Sequence, residues 1–240
     1  MLQKYKISLV IPAYNEENYL GECLKNALEN GKGLFEIIVI NNASTDRTEE
    51  VVKSFPNVKV FNEMQKGLTR TRQKGFVEAT GDVIAYTDAD TKMPKGWVEK
   101  VSKAFEENEK IVCVSGPYIY YDQSFVGKIL TWAYWLILAY PSYFFIGYMA
   151  VGGNFAAKKS AIREIGGFDE DIAFYGEDTD IARRLSKVGK VKFIPNLYMY
   201  TSARRLKGEG LVKTAISYII NFISIVLLKR PVTDKYKDIR

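Results

Sequence analysis

Short apolar runs alternate with amphipathic stretches through the first 120 residues. Residues 7–11 (ISLVI) end at Pro12 and predict a strand buried on both faces. Residues 17–30 place Leu20, Cys23, Leu24, Ala27 and Leu28 at helical spacing and stop at Gly31, a residue type that ends helices. Further strands are predicted at 36–41 (EIIVIN), 58–61, 83–87 (VIAYT) and 111–115, with helices over 69–79 and from Pro94 to about 108. Between the second and third strands Ser44 or Asp46 can cap a helix, and Asp46 with Glu49 has capping-box spacing. The alternation predicts an α/β protein with a mostly parallel central sheet flanked by helices. In such sheets ligands bind beyond the carboxyl ends of the strands, which gathers residues 12–15, 41–46 and 88–90 around one crevice.

The second half is less regular. Residues 129–151 are 23 uncharged positions rich in Trp, Tyr and Phe, nominally enough to span a bilayer. A single crossing there would put the acidic motifs at 88–90 and 177–180 on opposite sides of the membrane, where they could not serve one site. Pro141 is expected to divide the run into two pieces, each too short to cross. Core helices, or helices lying at a membrane interface, fit better; Trp132, Tyr134, Trp135, Tyr140, Tyr143 and Tyr148 are the residue types an interface favours. A strand-like stretch (VGGNFAAKK), a turn (GGFDED), a helix from the acidic GEDTD to about 188 and a short strand at 191–194 follow. Residues 211–228 predict a last helix whose polar stripe is limited to Ser217, Asn221 and Ser224. A helix that apolar packs on the domain, inserts at a bilayer surface or seals an oligomer. One catalytic domain is expected over 1–203, with a basic C-terminal appendage over 204–240.

Composition narrows the chemistry. The 240 residues include no histidine, which excludes Ser-His-Asp and Cys-His catalysis and imidazole-held zinc. A general base must then be a carboxylate, lysine, tyrosine or thiolate, and a metal must be a hard cation on oxygen ligands. Cys23 and Cys113 stand far apart without a C-x-x-C and read as reduced core residues of a cytosolic protein. The net charge of +6 is carried wholly by the end of the chain, where nine basic residues from Arg204 to Arg240 face three acids. That sign suits phosphates or an anionic membrane surface. No nucleic-acid recognition motif accompanies it. The run at 7–11 is too short for a signal-peptide core, so a cytoplasmic protein, peripheral at the inner membrane face, is expected.

The strongest local signal is Asp88-Ala89-Asp90 directly after an apolar strand, two carboxylates able to hold a divalent cation that grips a nucleotide's phosphates. Other motifs stand around it in order. They are Pro12-Ala13-Tyr14-Asn15-Glu16, Asn41 to Asp46 (NNASTD), Gly67 with Arg72, Gly81-Asp82, Gly152-Gly153-Asn154, Gly166-Gly167-Phe168-Asp169, and Glu177-Asp178 with Asp180. Together they resemble glycosyltransferase family 2, whose members have the GT-A fold, over roughly residues 5–202.

The resemblance implies an inverting, metal-dependent transfer from a nucleotide-diphosphate sugar, with Mg2+ or Mn2+ as cofactor. It implies that Tyr14 stacks on the base beside Pro12 and Glu16, and that Arg72 contacts the base region or phosphates. Asp88 would meet the ribose or the metal's water shell, Asp90 would ligate the metal, and Asp178 would be the catalytic base. Glu177 or Asp180 would raise the pKa of that base by like-charge repulsion. The family usually has Asp-Asp where this chain has Asn41-Asn42, so Asn42 takes the place that meets the base edge. An amide donates as well as accepts there, which departs from the usual uracil preference. Arg204 and Arg205 fall where other members bring basic residues to the diphosphate or to an acceptor phosphate. The acceptor is expected to be a glycan or lipid-linked, the latter because of the two apolar segments. Two other readings share these features: a non-catalytic sugar- or membrane-surface-binding module, and a sugar-1-phosphate nucleotidyltransferase. The second lacks its Gly-rich phosphate loop in PAYNEE.

Overall fold

The structure is a computed structural model that describes residues 4–172 and 174–233. Lys235, Lys237 and Arg240 of the basic tail lie outside the described residues. The chain begins with β1 (Ile7–Ala13), α1 (Leu20–Asn30), β2 (Leu34–Asn42), α2 (Thr48–Lys53), β3 (Val58–Glu63), α3 (Leu68–Glu78) and β4 (Val83–Thr87). It continues through β5 (Thr91–Lys92), α4 (Trp97–Glu107), β6 (Ile111–Ser115), β7 (Tyr118–Tyr120), α5 (Phe125–Ala133), a π-helical turn at Tyr134–Ala139 and α6 (Tyr140–Ile146). It closes with β8 (Asn154–Lys158), α7 (Lys159–Glu164), α8 (Glu177–Leu185), β9 (Lys190–Phe193), β10 (Met199–Thr201), α9 (Arg204–Glu209) and α10 (Leu211–Leu228).

Seven strands make the central sheet in the order β3-β2-β1-β4-β8-β6-β9. The four strands from β3 to β4 run parallel, as the apolar runs predict, but β8 is antiparallel to both β4 and β6. The strand-like reading of VGGNFAAKK holds for Asn154–Lys158, and its direction is set by the chain returning from α6. Strand alternation splits the core. Leu9 and Ile11 of β1 face Leu24 of α1 and Trp97 and Phe105 of α4. Val10 of β1 and Tyr86 of β4 face Ile162 of α7 and Ile181 of α8. Cys23 and Cys113 are both buried and free. A small second sheet, β5-β10-β7, lies across the carboxyl end of β4 and ties the last strand to the crevice.

Three expectations are corrected. Asp46 and Glu49 form no capping box. Asp46 instead accepts from Glu17 N and Thr48 N, and so joins the loop after β1 to the start of α2. Pro141 does not divide the apolar run: the helical course is continuous over 22 residues, Phe125–Ile146. The π-helical turn just before it widens the backbone where the proline ring would meet the carbonyl one turn earlier. The helix is not a core helix either. Only its inner side packs, with Trp135, Tyr140 and Tyr143 on Phe193, while Trp132, Ile137 and Phe145 are exposed. By length and composition it could cross a membrane.

The polar stripe of α10 has a use the periodicity did not show. Asn221 accepts from Val232 N and Thr233 N and donates to Thr233 Oγ1, and Ser224 donates to the Arg230 carbonyl. Two polar side chains of the stripe thus fasten the segment that folds back along the helix.

Glu36 anchors the opposite end of the sheet. It accepts from Ser8 Oγ at 2.6 Å, Thr80 N at 2.7 Å and Thr80 Oγ1 at 2.9 Å, and pairs with Lys59 at 2.7 Å. Burial alone would raise its pKa, but these donors outweigh burial and lower it from 4.5 to about 2. Because the folded value lies below the unfolded one, the stabilisation is complete above pH 4.5 and is lost as pH falls towards 2. Glu36→Gln should cost about 2 kcal/mol at pH 7, discounted for the exposed lysine partner, and less at pH 3, measured by urea unfolding.

Candidate active site

The carboxyl ends of β1, β2 and β4 and the loop before β8 open on one cavity of about 950 Å3. Pro12, Tyr14, Glu16, Asn42, Arg72, Asp88, Asp90, Glu177, Asp178, Arg204 and Arg205, every site residue expected from the sequence, line it. Asp180 does not. It turns back on its own helix to pair with Arg183 and Arg184 at 2.6 and 2.7 Å.

Arg72 is the centre of the cluster. Expected to touch base or phosphate, it is 1% exposed and pairs through Nη1 with Glu177 and through Nη2 with Asp88 at 3.3 Å. Tyr118 donates to the other oxygen of Asp88 at 2.8 Å. Burial pushes Glu177 up to about 7 against the pull of Arg72, and Asp178 adds to the rise. Arg72 itself stays cationic, since its two carboxylates outweigh desolvation. Arg72 Nε and Glu177 Oε2 are buried without a partner, polar atoms that a bound molecule or water can satisfy.

Asp178 stands in the first turn of α8, next to Glu177. Its Oδ1 accepts from Thr179 N at 2.8 Å and its Oδ2 from Gly152 N at 3.2 Å. Burial raises its pKa above the ordinary 3.8, with Arg72 opposing, a shift in the direction that suits a base. Gly152 and Gly153 leave room for this cluster. A Cβ on Gly152 would press on Glu177 and Arg72, and one on Gly153 would overlap the Tyr118 hydroxyl and the Asp88 carboxylate.

A second clamp holds Asp90. Arg204 donates through Nε to Asp90 at 2.7 Å and through its two Nη atoms to both oxygens of Glu16 at 2.8 and 2.6 Å, with its plane over the Tyr19 ring. Burial raises Asp90 to about 6 against the pull of Arg204, with Asp88 and Glu16 adding to the rise. A buried carboxylate that recruits a guanidinium is a site for positive charge, so the residues fit a divalent cation. Among the described residues no group of three acidic, Cys or His side chains forms a chelate. A cation at Asp90 and Asp88 would therefore complete its shell with donor phosphates and water. Arg205 lies apart, paired with Glu209 at 2.9 Å and set against the Phe174 ring.

The nucleotide end contains Tyr14 and Asn42. Lys66 lies over the Tyr14 ring and donates to its hydroxyl at 2.7 Å. Asn42 donates to the carbonyls of Glu63 and Gln65 and accepts from Gly67 N, so its amide closes the 63–67 turn. A carboxylate could make neither donation, which explains the amide at this position. Sequence reasoning passed over Tyr118 and Lys66, which stand in no local motif and reach the cavity only through the fold.

The seven-stranded mixed sheet flanked by helices is that of the GT-A fold. Residues 8–166 match the model described as glycosyl transferase family 2, and the chain belongs to that family. It is 30% identical over 208 residues to the probable glycosyltransferase YdaM of Bacillus subtilis, covering 79% of this chain and 49% of YdaM. It is 28% identical over 249 residues to the cholesterol galactosyltransferase of Borreliella burgdorferi, covering 91% of this chain and 65% of that protein. The chain thus spans about half to two thirds of these relatives. The mannosyltransferase PcManGT of Pyrobaculum calidifontis, solved with GDP-Man and Mn2+, superposes with a TM-score of 0.63 at 20% identity over 88% of this chain and 64% of that one. At that identity the likeness shows the fold.

Gly153→Ala should shift Asp88 and Tyr118 and lower stability by about 1–3 kcal/mol, read as a lower urea midpoint with an unchanged m-value. An unchanged midpoint would mean that the loop is not packed as described.

Proposed function

We propose that this chain moves a sugar from a nucleotide-diphosphate sugar to an acceptor hydroxyl, with inversion at the anomeric carbon. One observation carries the reading: Asp88 and Asp90 after β4 and Asp178 at the start of α8 open on the same cavity. Tyr14 stacks on the base above Pro12, and the 63–67 turn closed by Asn42 borders it. Asp88 and Asp90 hold Mg2+ or Mn2+, which when bound stabilises the charge leaving on the diphosphate. Arg204, released from Asp90 and Glu16, and Arg205 carry positive charge to the phosphates. Asp178 takes the proton of the acceptor hydroxyl, and Arg72 with Glu177 fixes its surroundings. PcManGT, solved with a nucleotide sugar and Mn2+, supports the donor and metal classes.

The acceptor is a glycan or a lipid-linked molecule. The name of the Borreliella relative, a cholesterol galactosyltransferase, and the two exposed apolar helices favour the lipid. The chain acts from the cytoplasmic side, peripherally on the inner membrane, with the segment from residue 204 as its membrane-directed appendage.

Asp178→Asn should lower transfer by about 10²–10⁴-fold, the usual worth of a general base. Thermal stabilisation by nucleotide-sugar with Mn2+ should persist, about 2.7 kcal/mol at a hundredfold excess over Kd. Full transfer by this variant would remove Asp178 from the role. Metal-dependent turnover of a nucleotide-sugar by the wild type separates the enzyme from a binding module of the same fold.

A further inference from the structure

The cavity has two ends of opposite character. One is the carboxylate and arginine cluster. The other is an apolar arm walled by Tyr134 and Leu138 from the helical stretch Phe125–Ile146 and by Tyr218, Ile219 and Phe222 from α10. The arm is continuous with the charged end, and α10 reaches the site itself: Ile225 packs where a Cβ on Gly176 would stand, one residue before Glu177. A glycan in this arm would leave most of its hydroxyls without partners against Leu138, Ile219 and Phe222.

The outer faces of the same two helices are also apolar. Ile137 is 72% exposed, Phe145 91% and Leu227 71%. Both helices and the two residues closing α10 carry only cations, Lys128, Lys213, Lys229 and Arg230, all exposed, and no acidic residue. Two exposed apolar helices with a purely basic set of charges are complementary to a surface of acyl chains under anionic headgroups.

We propose that the arm between Leu138 and Ile219 binds the hydrocarbon tail of a membrane-lipid acceptor. The tail enters sideways from an anionic bilayer in which the outer helix faces lie, and its head hydroxyl is presented to Asp178. The proposal rests on the transferase reading above and assigns that site its acceptor. The arm measures the fit of the tail, and the charged end reads only the head.

The chain's tryptophans supply the test. Trp97 is buried in the core, Trp132 is 65% exposed on the outer face, and Trp135 lines the cavity. In Trp132→Phe, Trp135 becomes the reporter of the arm. Vesicles of phosphatidylcholine and phosphatidylglycerol with brominated acyl chains should quench it, and vesicles of phosphatidylcholine alone should quench it much less. Leu138→Asp and Ile219→Asp place a charge in the arm at positions already 46% and 37% exposed, which the fold tolerates. Each should reduce the quench at least about tenfold, because hydrocarbon cannot solvate the carboxylate. Co-sedimentation with the vesicles, which depends on the outer faces, and thermal stabilisation by nucleotide-sugar with Mn2+ should both persist. Quenching that survives both aspartates, or vesicle binding without quenching of Trp135, overturns the arm as a tail site. Loss of donor stabilisation in the wild type, with quenching intact, overturns the transferase reading and leaves the tail site standing.

Discussion

The site depends on one buried cation. Arg72, 1% exposed, lies between Asp88 at the end of β4 and Glu177 at the start of α8. A guanidinium removed from water is tolerable only with its charge answered, and removing one partner of such a pair typically costs about 3–5 kcal/mol. Arg72 also sets the space around it. Gly152 and Gly153 must be glycine because side chains there would occupy the volume of the paired groups. The strand after them, β8, runs antiparallel to β4 and delivers Gly152 N to Asp178. A charge pair thus fixes a backbone, and the backbone orients the candidate base.

Arg204 makes the same argument for Asp90, with a difference in permanence. Arg72 is enclosed by the core, whereas Arg204 belongs to a short helix at the cavity wall and bridges two carboxylates from separate loops. Its partners include Asp90, the proposed metal ligand, so in that proposal this is the pairing that a divalent cation replaces. Under the proposed function the arginine beside Asp178 stays in place and the one on Asp90 gives way to the metal. The carboxylates between them, all with acidic neighbours, are thereby held at close quarters.

Much of the fold was legible because its strands are unbroken apolar runs. ISLVI, EIIVIN and VIAYT lie in the sheet as expected, and the last helix spans residues 211–228 as the pattern required. The direction of β8 was not legible, since an apolar strand has the same composition either way up. Nor was the continuity through Pro141, where a π turn absorbs a proline that ordinary helical spacing would reject. At the site, the motifs marked residues that share one cavity. What single motifs could not show was pairing. Arg72 reads as an exposed ligand contact until α8 brings Glu177 to it, and Asn42 reads as a base contact until the 63–67 turn takes its amide. Tyr118 carries no local mark and becomes visible only as the donor to Asp88.

In the proposed function the crevice takes a divalent cation together with a nucleoside diphosphate, and holds no preformed chelate among the described residues. The most direct measurement is the free Mn2+ signal in electron paramagnetic resonance, titrated with protein in the presence and absence of UDP or GDP. Mn2+ should be bound tightly only when the nucleotide is present, and Asp90→Asn should abolish that binding. Equal Mn2+ binding without nucleotide, or unchanged binding by Asp90→Asn, would contradict it.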